Sequence, residues 1–350
     1  MRDRRGSRVR GVPPRMPGAA PETPCSACCR TLTSKVLMLL FMLLLIAAIL
    51  VGNALTLAVV LGTRHFRTPQ GYLKASLAVA DLAVGVLVVP LSVYAEVSIL
   101  AQSEPEWTAR DSRRAPFHPC SFAGPVFAGC TLVSISTIFL LAVERGVAVL
   151  KPLHKDAVVT RRRTAALILL SWLGSFSLAV SPMLHGDIVL EYNPCSRMCN
   201  YARRATATAS PSAAWNVLLL FPAFDFALLG GTVVVNALSL STIRRHSKRR
   251  RHLAEPDARR VAGPTFSDIK AAKTIGALTL AFTASFSPIA VFVVGNVVGN
   301  EWCTFSFFAF WILTANSGCN VVIYSVRDHK FRQRAQQLLL SLHRKSGSDT

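Results

Sequence analysis

The 350-residue sequence is 51% hydrophobic and only 16% charged, and it carries a formal net charge of +21. Its mean hydropathy of +0.41 excludes an ordinary soluble domain. The charge would suit a nucleic-acid partner, but the densest basic run, Arg244–His252, lies between two apolar blocks. We therefore expect this run to face anionic lipid headgroups, and we predict no nucleic-acid partner.

The apolar residues are gathered into seven long blocks. The first block contains no charged residue and exceeds the roughly 20 residues that span a bilayer core. Helices are expected because a bilayer cannot hydrogen-bond an open backbone, and the alternating segments of a membrane β-barrel are absent. The sequence predicts an all-α membrane protein, a seven-transmembrane helix bundle within 36–326. The predicted spans are 36–62, 73–98, 119–150, 164–185, 212–243, 271–298 and 303–326.

The segments outside the spans predict the orientation of the bundle. Residues 1–35 are rich in Arg, Pro and Gly and have no hydrophobic periodicity, which is typical of disorder. Lys and Arg are more numerous in 62–74, 146–164, 241–273 and 327–350 than in the segments of the opposite side, the basic leader included. By the positive-inside rule, the N-terminus is expected to be extracellular.

Three of the nine cysteines lie where a disulfide bond would tie a loop to the bundle. Cys120 begins the third span at its outer end, and Cys195 and Cys199 lie in the loop after the fourth span. Disulfide bonds persist outside the cell, and one that closes a long loop stabilises by about 2–4 kcal/mol. We expect Cys120 to bond to Cys199, which lies nearer the fifth span, with Cys195 as the alternative partner. Cys195 is otherwise left for Cys303 or a cysteine of the leader.

Polar side chains occupy depths of the predicted spans where they are costly. Asp81 lies near the middle of the second span, where a carboxylate costs roughly 2.5–3.5 kcal/mol on insertion scales. Together with the polar residues at similar depth, Asp81 predicts one of two arrangements. The first is a site for a hydrated monovalent cation or a proton, and the second is a polar cluster that only joins helices. The other polar residues at similar depth are Asn53, Ser134, Asn316, Ser317 and Asn320.

The inner end of the third span carries two adjacent charges, Glu144 and Arg145. Neighbouring residues on a helix point in different directions. Arg145 can reach a carboxylate on another helix, for which Asp268 at the start of the sixth span is a candidate. Such a pair would hold two helix ends together; the alternative is a boundary arginine that contacts lipid phosphate. Pro288 removes a backbone hydrogen bond and predicts a hinge in the sixth span.

Eight short motifs occur in order, each in the appropriate span. They are Gly52-Asn53, Leu77-Ala-x-x-Asp81, Cys120, Glu144-Arg145 with Pro152-Leu153, Trp172, Pro222, Phe282…Phe286-x-Pro288, and Asn316-Ser317 with Asn320…Tyr324. From about residue 36 to 341 the chain therefore resembles the rhodopsin-like (class A) G protein-coupled receptors. The resemblance implies a receptor of the plasma membrane, not an enzyme, whose partner is a heterotrimeric G protein.

The resemblance also implies roles for individual residues. The G protein coupling switch would consist of Glu144, Arg145, Leu153, Asp268 and Tyr324. The polar set would form an allosteric sodium site, and no other cofactor or metal is implied. The site would consist of Asp81, Ser134, Asn316, Ser317 and Asn320. Residues 327–350, with Phe331, would form a short amphipathic eighth helix on the membrane lipid and a short cytoplasmic tail.

Four positions depart from the family's pattern at the switch. Gly146, Val321 and Phe286 stand where the family has tyrosine, proline and tryptophan, and Gly230 stands where the fifth helix has a tyrosine. We therefore expect unusual basal activity. The alternative function is a seven-helix partner or scaffold that has lost coupling. A transporter or channel is disfavoured, since neither inverted repeats nor paired broken helices occur.

The ligand pocket is expected to be mostly apolar. The second and seventh spans, with Glu96 and Trp311, resemble amine receptors, but Phe127 stands where those receptors carry the amine-binding aspartate. A cationic amine would therefore meet no counter-ion, and a lipid-like or hydrophobic small molecule fits better. This pattern is typical of an orphan receptor, one without an assigned ligand. The predicted pocket residues are Phe127, Thr131, Trp215, Phe286, Ile289, Phe310 and Thr314.

Overall fold

The structure is a computed structural model that describes residues 32–63, 67–101, 118–184, 188–203, 217–252, 266–298 and 302–346. Within these ranges, seven helices are long and apolar enough to cross a membrane. The predicted seven-helix bundle is confirmed. The observed spans are Leu32–Gly62, Pro69–Leu100, Cys120–Leu150, Arg161–Leu184, Leu220–Arg245, Lys273–Val297 and Cys303–Val326.

Several helices continue beyond the membrane-spanning part or change type within it. The fifth, sixth and seventh spans belong to the helices Leu220–His252, Phe266–Val297 and Cys303–Arg327. The second span joins the α-helices Pro69–Ala83 and Val89–Leu100 through a π-helical turn, Val84–Val88. The fourth span is the α-helix Arg161–Val180 followed by a 3-10 turn, Ser181–Leu184, and short helices at Pro152–His154 and Lys155–Val158 follow the third span.

Threonine caps begin two of the spans. The Thr68 hydroxyl accepts a hydrogen bond from the Gly71 amide at 3.2 Å, and Pro69 occupies the first helical position. The Thr160 hydroxyl accepts from the Arg163 amide at 3.3 Å. Each cap satisfies an amide that has no partner within its helix, and proline is suited to a first position because it lacks that amide hydrogen.

The π-helical turn lies just after Asp81 and just before Pro90. The Val89 amide bonds to the Val84 carbonyl, five residues back, while Pro90 has no amide hydrogen to donate. A π-turn adds one residue to the helix and changes the direction in which later side chains leave it. The turn therefore sets the orientation of Glu96 relative to Asp81.

The third span lies at the centre of the bundle. It packs against the second, fourth, fifth and sixth spans, and its buried residues run along nearly its whole length. The outer faces of the first and fourth spans instead expose large apolar side chains, such as Leu44 and Leu170. Such faces are expected of helices that lipid surrounds, since the polar atoms of their backbones are already paired.

A β-hairpin that the sequence analysis did not predict lies between the fourth and fifth spans. Strand β1, Ile188–Asn193, pairs antiparallel with strand β2, Met198–Arg203. Two disulfide bonds, Cys120–Cys199 and Cys195–Cys303, attach the hairpin to the starts of the third and seventh spans. We call this end of the bundle the disulfide end and the opposite one the Arg145 end.

An amphipathic C-terminal helix, His329–Ser346, follows the seventh span at the Arg145 end. The Asp328 carboxylate caps it by accepting a hydrogen bond from the Phe331 amide at 3.2 Å. Phe331 and Ala335, one turn apart, are buried against the bundle, whereas Arg332 is exposed. The predicted eighth helix is thus present. The leader proposed to be disordered lies almost wholly outside the described residues, which begin at Leu32.

Candidate functional site

Arg145 is held at its end of the bundle by partners in the second and third spans. Its Nε lies 3.1 Å from Oε2 of Glu144, and its guanidinium donates a hydrogen bond to Oε1 of Gln70. The expectation that adjacent side chains point apart is wrong here, because the long arginine side chain bends back and the poorly hydrated surroundings favour an ion pair. The Asp268 side chain lies outside the described residues, so its role stays a prediction.

A second charged group at this end joins the second span to the seventh. Lys74 Nζ lies 3.7 Å from Oδ2 of Asp328 and 4.8 Å from the centre of the Tyr324 ring, in cation–π contact. Tyr324 in turn packs edge-on against Phe331, with ring centres 5.9 Å apart. Sequence reasoning missed Lys74, which it counted as a loop cation. The signal was present, since Lys74 lies seven residues before Asp81 and therefore on the same helix face.

The departures from the family pattern at the Arg145 end have different structural contexts. A Cβ atom at Gly146 would lie 2.8 Å from Cγ1 of Val235 on the fifth helix, so a larger residue there would require the Val235 side chain to shift. A Cβ at Gly52 would likewise lie 2.5 Å from Cγ1 of Val321. Gly230 is exposed, with open space around it. Leu153, beyond the third span, is 86% exposed and could contact a partner.

The polar residues predicted as one set lie together in the middle of the bundle. The side-chain amide of Asn320 donates a hydrogen bond to Oδ2 of Asp81 at 2.7 Å, and Ser317 is a further hydrogen-bond partner of Asp81. The side-chain amide of Asn53 donates a hydrogen bond to the backbone carbonyl of Ser317 at 2.9 Å. These bonds connect the first, second and seventh spans through buried groups.

A small cavity lies beside this polar group. Its lining includes Ser134, Asn316 and Ser317 of the predicted ion site, and Phe127 and Thr131 of the predicted ligand pocket. It has space for about one water-sized sphere. Hydroxyl, amide and carboxyl oxygens are the ligands that hard cations prefer, so Asp81 and the polar lining could hold one sodium ion. The cavity is therefore lined by residues of both predicted sites.

The described residues of the predicted ligand pocket form one aromatic cluster. Phe127 stacks on Phe310 at 5.9 Å between ring centres, and Phe310 meets Phe292 edge-on at 5.6 Å. Phe286 stacks on Phe282 at 5.9 Å, and Ile289 is buried in the same cluster. Trp215, the remaining aromatic residue of the prediction, lies outside the described residues.

The turn of the hairpin enters this pocket. Ser196 is fully buried and Met198 is 1% exposed. The indole Nε1 of Trp311 donates to the Ser196 carbonyl at 3.0 Å, and the Thr314 hydroxyl lies 3.9 Å from the Met198 sulfur. Thr314 also donates to the Phe310 carbonyl at 2.8 Å. The hairpin therefore contributes residues to the pocket that sequence reasoning did not name.

An ionic contact fixes the hairpin turn to the second span. Arg197 Nη1 lies 2.5 Å from Oε1 of Glu96, which is 1% exposed, and the Tyr192 hydroxyl lies 3.3 Å from the same oxygen. Burial, and then the Glu96 charge, raises the pKa of Tyr192, so its hydroxyl stays protonated and can donate. The sequence contained a signal for this contact. Glu96 is an acidic residue near the end of a span, and Arg197 lies between Cys195 and Cys199.

Residues 52–324 match the family described as 7 transmembrane receptor (rhodopsin family). The chain belongs to this family. A rhodopsin-family receptor is not an enzyme but signals through heterotrimeric G proteins, and the seven spans make this one a multi-pass membrane protein.

The receptor is similar in sequence to several receptors whose names refer to different ligands. The 5-hydroxytryptamine receptor 1B of Homo sapiens is 26% identical to it, over 87% of this chain and 86% of that receptor. The neuromedin-U receptor 2 of Homo sapiens is also 26% identical, over 84% of this chain and 69% of that receptor. The 5-hydroxytryptamine receptor 1B of Mus musculus is 32% identical over 42% of this chain and 35% of that receptor.

Proposed function

We propose that this receptor transmits an extracellular or membrane-derived signal to a heterotrimeric G protein at its Arg145 end. In this orientation the N-terminus is extracellular and the Arg145 end faces the cytoplasm of a cell with the receptor in its plasma membrane. The excess of Lys and Arg in the segments at the Arg145 end supports this orientation. Disulfide bonds at the opposite end support it too, since they persist in oxidising surroundings.

The observation that carries the proposal is that Arg145 is held within the bundle. Its side chain is 13% exposed, lies beside Glu144 and donates a hydrogen bond to Gln70. In the mechanism, the sixth span swings outward about Pro288 and Arg145 leaves these partners and the predicted partner Asp268. The cavity that opens admits the C-terminal helix of a G protein, with Leu153 at its rim. The two arrangements need differ by only a few kcal/mol.

Substitution of Arg145 tests the proposal. We expect Arg145→Ala to reduce ligand-free output in a panel of G protein biosensors to background at matched surface expression. Arg162→Ala removes an exposed arginine from the same end and is the matched control, which should keep the wild-type output. Equal output from wild type and Arg145→Ala would contradict the proposal and favour the non-signalling partner or scaffold.

Any diffusible ligand of this receptor is proposed to be an apolar small molecule. The cluster around Phe127 and Phe310 is aromatic, and Glu96, the nearby carboxylate of the second span, is already paired with Arg197. A cationic ligand would therefore have to break that pair. The relatives do not decide the ligand, since their names refer to different ones.

Two further partners belong to this proposal. Sodium is proposed to bind at Asp81 and the polar lining of the adjacent cavity, which Ser134, Asn316 and Ser317 provide. The exposed basic residues of the C-terminal helix, including Arg332 and Arg334, are proposed to contact anionic lipid headgroups. Each cation near the membrane surface contributes on the order of 1 kcal/mol to such binding.

A further inference from the structure

We infer that this receptor carries a ligand for its own pocket: the hairpin tip Ser196–Met198 occupies the aromatic cluster and stabilises the arrangement in which Arg145 is held. The tip would act as an internal inhibitor of signalling. This inference rests on the proposed G protein signalling and goes beyond it by naming the occupant of the pocket and its effect.

The first observation is that the tip occupies the described part of the pocket. Met198 belongs to the same buried cluster as Phe127, Phe286 and Phe310. The cavity that Phe127 lines has room for about one water molecule, whereas small-molecule sites usually enclose roughly 300–1,000 Å³. Within the described residues, a diffusible ligand of that size would therefore have to displace side chains of the buried cluster, to which Met198 belongs.

The second observation is that the tip makes the contacts expected of a ligand. The Met198 thioether is an apolar, polarizable group suited to aromatic surroundings. The Ser196 carbonyl supplies a hydrogen-bond acceptor, bound by Trp311 at 3.0 Å, and Arg197 supplies a cation bound by Glu96 at 2.5 Å. The tip thus combines apolar, acceptor and cationic groups within three residues, each with a partner in the bundle.

The third observation is that the tip is pre-organised for this position. The disulfide bonds of Cys195 and Cys199 flank it and attach it to the seventh and third spans. Arg197 has a φ of 59°, a left-handed conformation that is unfavourable for a non-glycine residue and that these contacts maintain. Because the tip is tethered, its docking carries little of the entropy cost of binding a free ligand.

The fourth observation connects the tip to the proposed switch. The cluster that contains Met198 also contains Phe282 and Phe286, which precede the hinge residue Pro288 on the sixth span. This packing exists in the arrangement in which Glu144 and Gln70 hold Arg145. Movement of the sixth span would disturb that packing, so the docked tip favours the closed arrangement over the open one.

Removal of the Met198 side chain tests the inference. We expect Met198→Ala to raise ligand-free biosensor output, normalised to surface expression, by about three-fold or more, because part of the lost packing energy applies only to the closed arrangement. Met198→Leu conserves the apolar volume and should keep output near that of wild type. Glu191→Ala alters an exposed residue of the same hairpin and should also leave the output unchanged.

A second variant keeps the test decisive if Met198→Ala does not reach the cell surface. Trp311→Phe removes the hydrogen bond to the Ser196 carbonyl but keeps a ring in the cluster, and its output should also rise. Unchanged or reduced output in the expressed variants, together with loss of output in Arg145→Ala, would overturn the inference and leave the proposed function intact. If Arg145→Ala signals like wild type, the proposed function itself fails.

Discussion

At the scale of single residues, the least expected feature is a lysine within an apolar span. Lys74 is buried, and its ammonium is balanced by the Asp328 carboxylate and the Tyr324 ring. A buried ion pair adds little stability compared with apolar residues of the same volume, but removal of one partner leaves an uncompensated charge, which is much more costly. The Lys74 side chain is 10% exposed and that of Asp328 is 31% exposed, so loss of Asp328 leaves the more deeply buried charge uncompensated, and the two partners are unequal as sites of substitution.

This inequality predicts the effect of Asp328→Asn, which removes the charge but keeps an oxygen to cap the Phe331 amide. We expect it to lower the free energy of unfolding by about 1–3 kcal/mol, measured by thermal melting of the detergent-solubilised receptor. Lys74→Met should cost less, and the double variant Lys74→Met, Asp328→Asn should recover most of the loss. An equal effect of Asp328→Asn with or without Lys74 would contradict a role for the pair.

At the scale of structural elements, the β-hairpin is held more firmly than a surface loop. Cys195 and Cys199 lie four residues apart and bond to the starts of two different spans. The turn between them is additionally bound to the second span by Glu96 and to the seventh by Trp311. The hairpin therefore joins three helices at the disulfide end and limits their relative movement.

Loss of the Cys195–Cys303 bond should destabilise the receptor. We expect the double variant Cys195→Ser, Cys303→Ser to lose about 2–4 kcal/mol, seen as a lower melting temperature in detergent. Cys319→Ser removes a free, half-buried thiol and is the control, for which a much smaller shift is expected. Superimposable melting curves for the double variant and wild type would indicate that the bond contributes no stability.

At the scale of the whole molecule, the polar groups of the interior connect most of the helices. Asp81, Asn53, Ser317 and Asn320 form a hydrogen-bonded group across three spans, and Ser134 adds the third span through the shared cavity. A cation bound there would stabilise the arrangement that encloses it and no other, because a ligand stabilises only the state it binds.

Sodium should therefore raise the melting temperature of the receptor relative to choline chloride at equal ionic strength. The expected gain is up to about 2.7 kcal/mol at a sodium concentration of 100 times Kd. Asp81→Asn removes the only carboxylate of the group and should abolish the difference between the two salts. A sodium effect of the same size in Asp81→Asn and wild type would place the ion elsewhere or make the effect non-specific.

The sequence by itself determined the seven spans, their approximate bounds and the depth of the polar residues around Asp81. This was possible because each span satisfies its own backbone hydrogen bonds, so the local run of apolar residues is enough to identify it. Asp81 could be recognised in the same way, since a carboxylate in an apolar run is conspicuous without any partner. The family motifs are likewise short and local.

Only the tertiary structure decided which distant residues meet. Glu96 and Arg197 are 101 residues apart in the chain, and nothing local to either residue indicates the other. The approach of Lys74 to Asp328, the bond of Arg145 to Gln70 and the entry of Met198 into the aromatic cluster depend in the same way on helix packing. Such contacts are decided by the shape and charge of several elements together, so the occupant of the pocket became visible only in the folded chain.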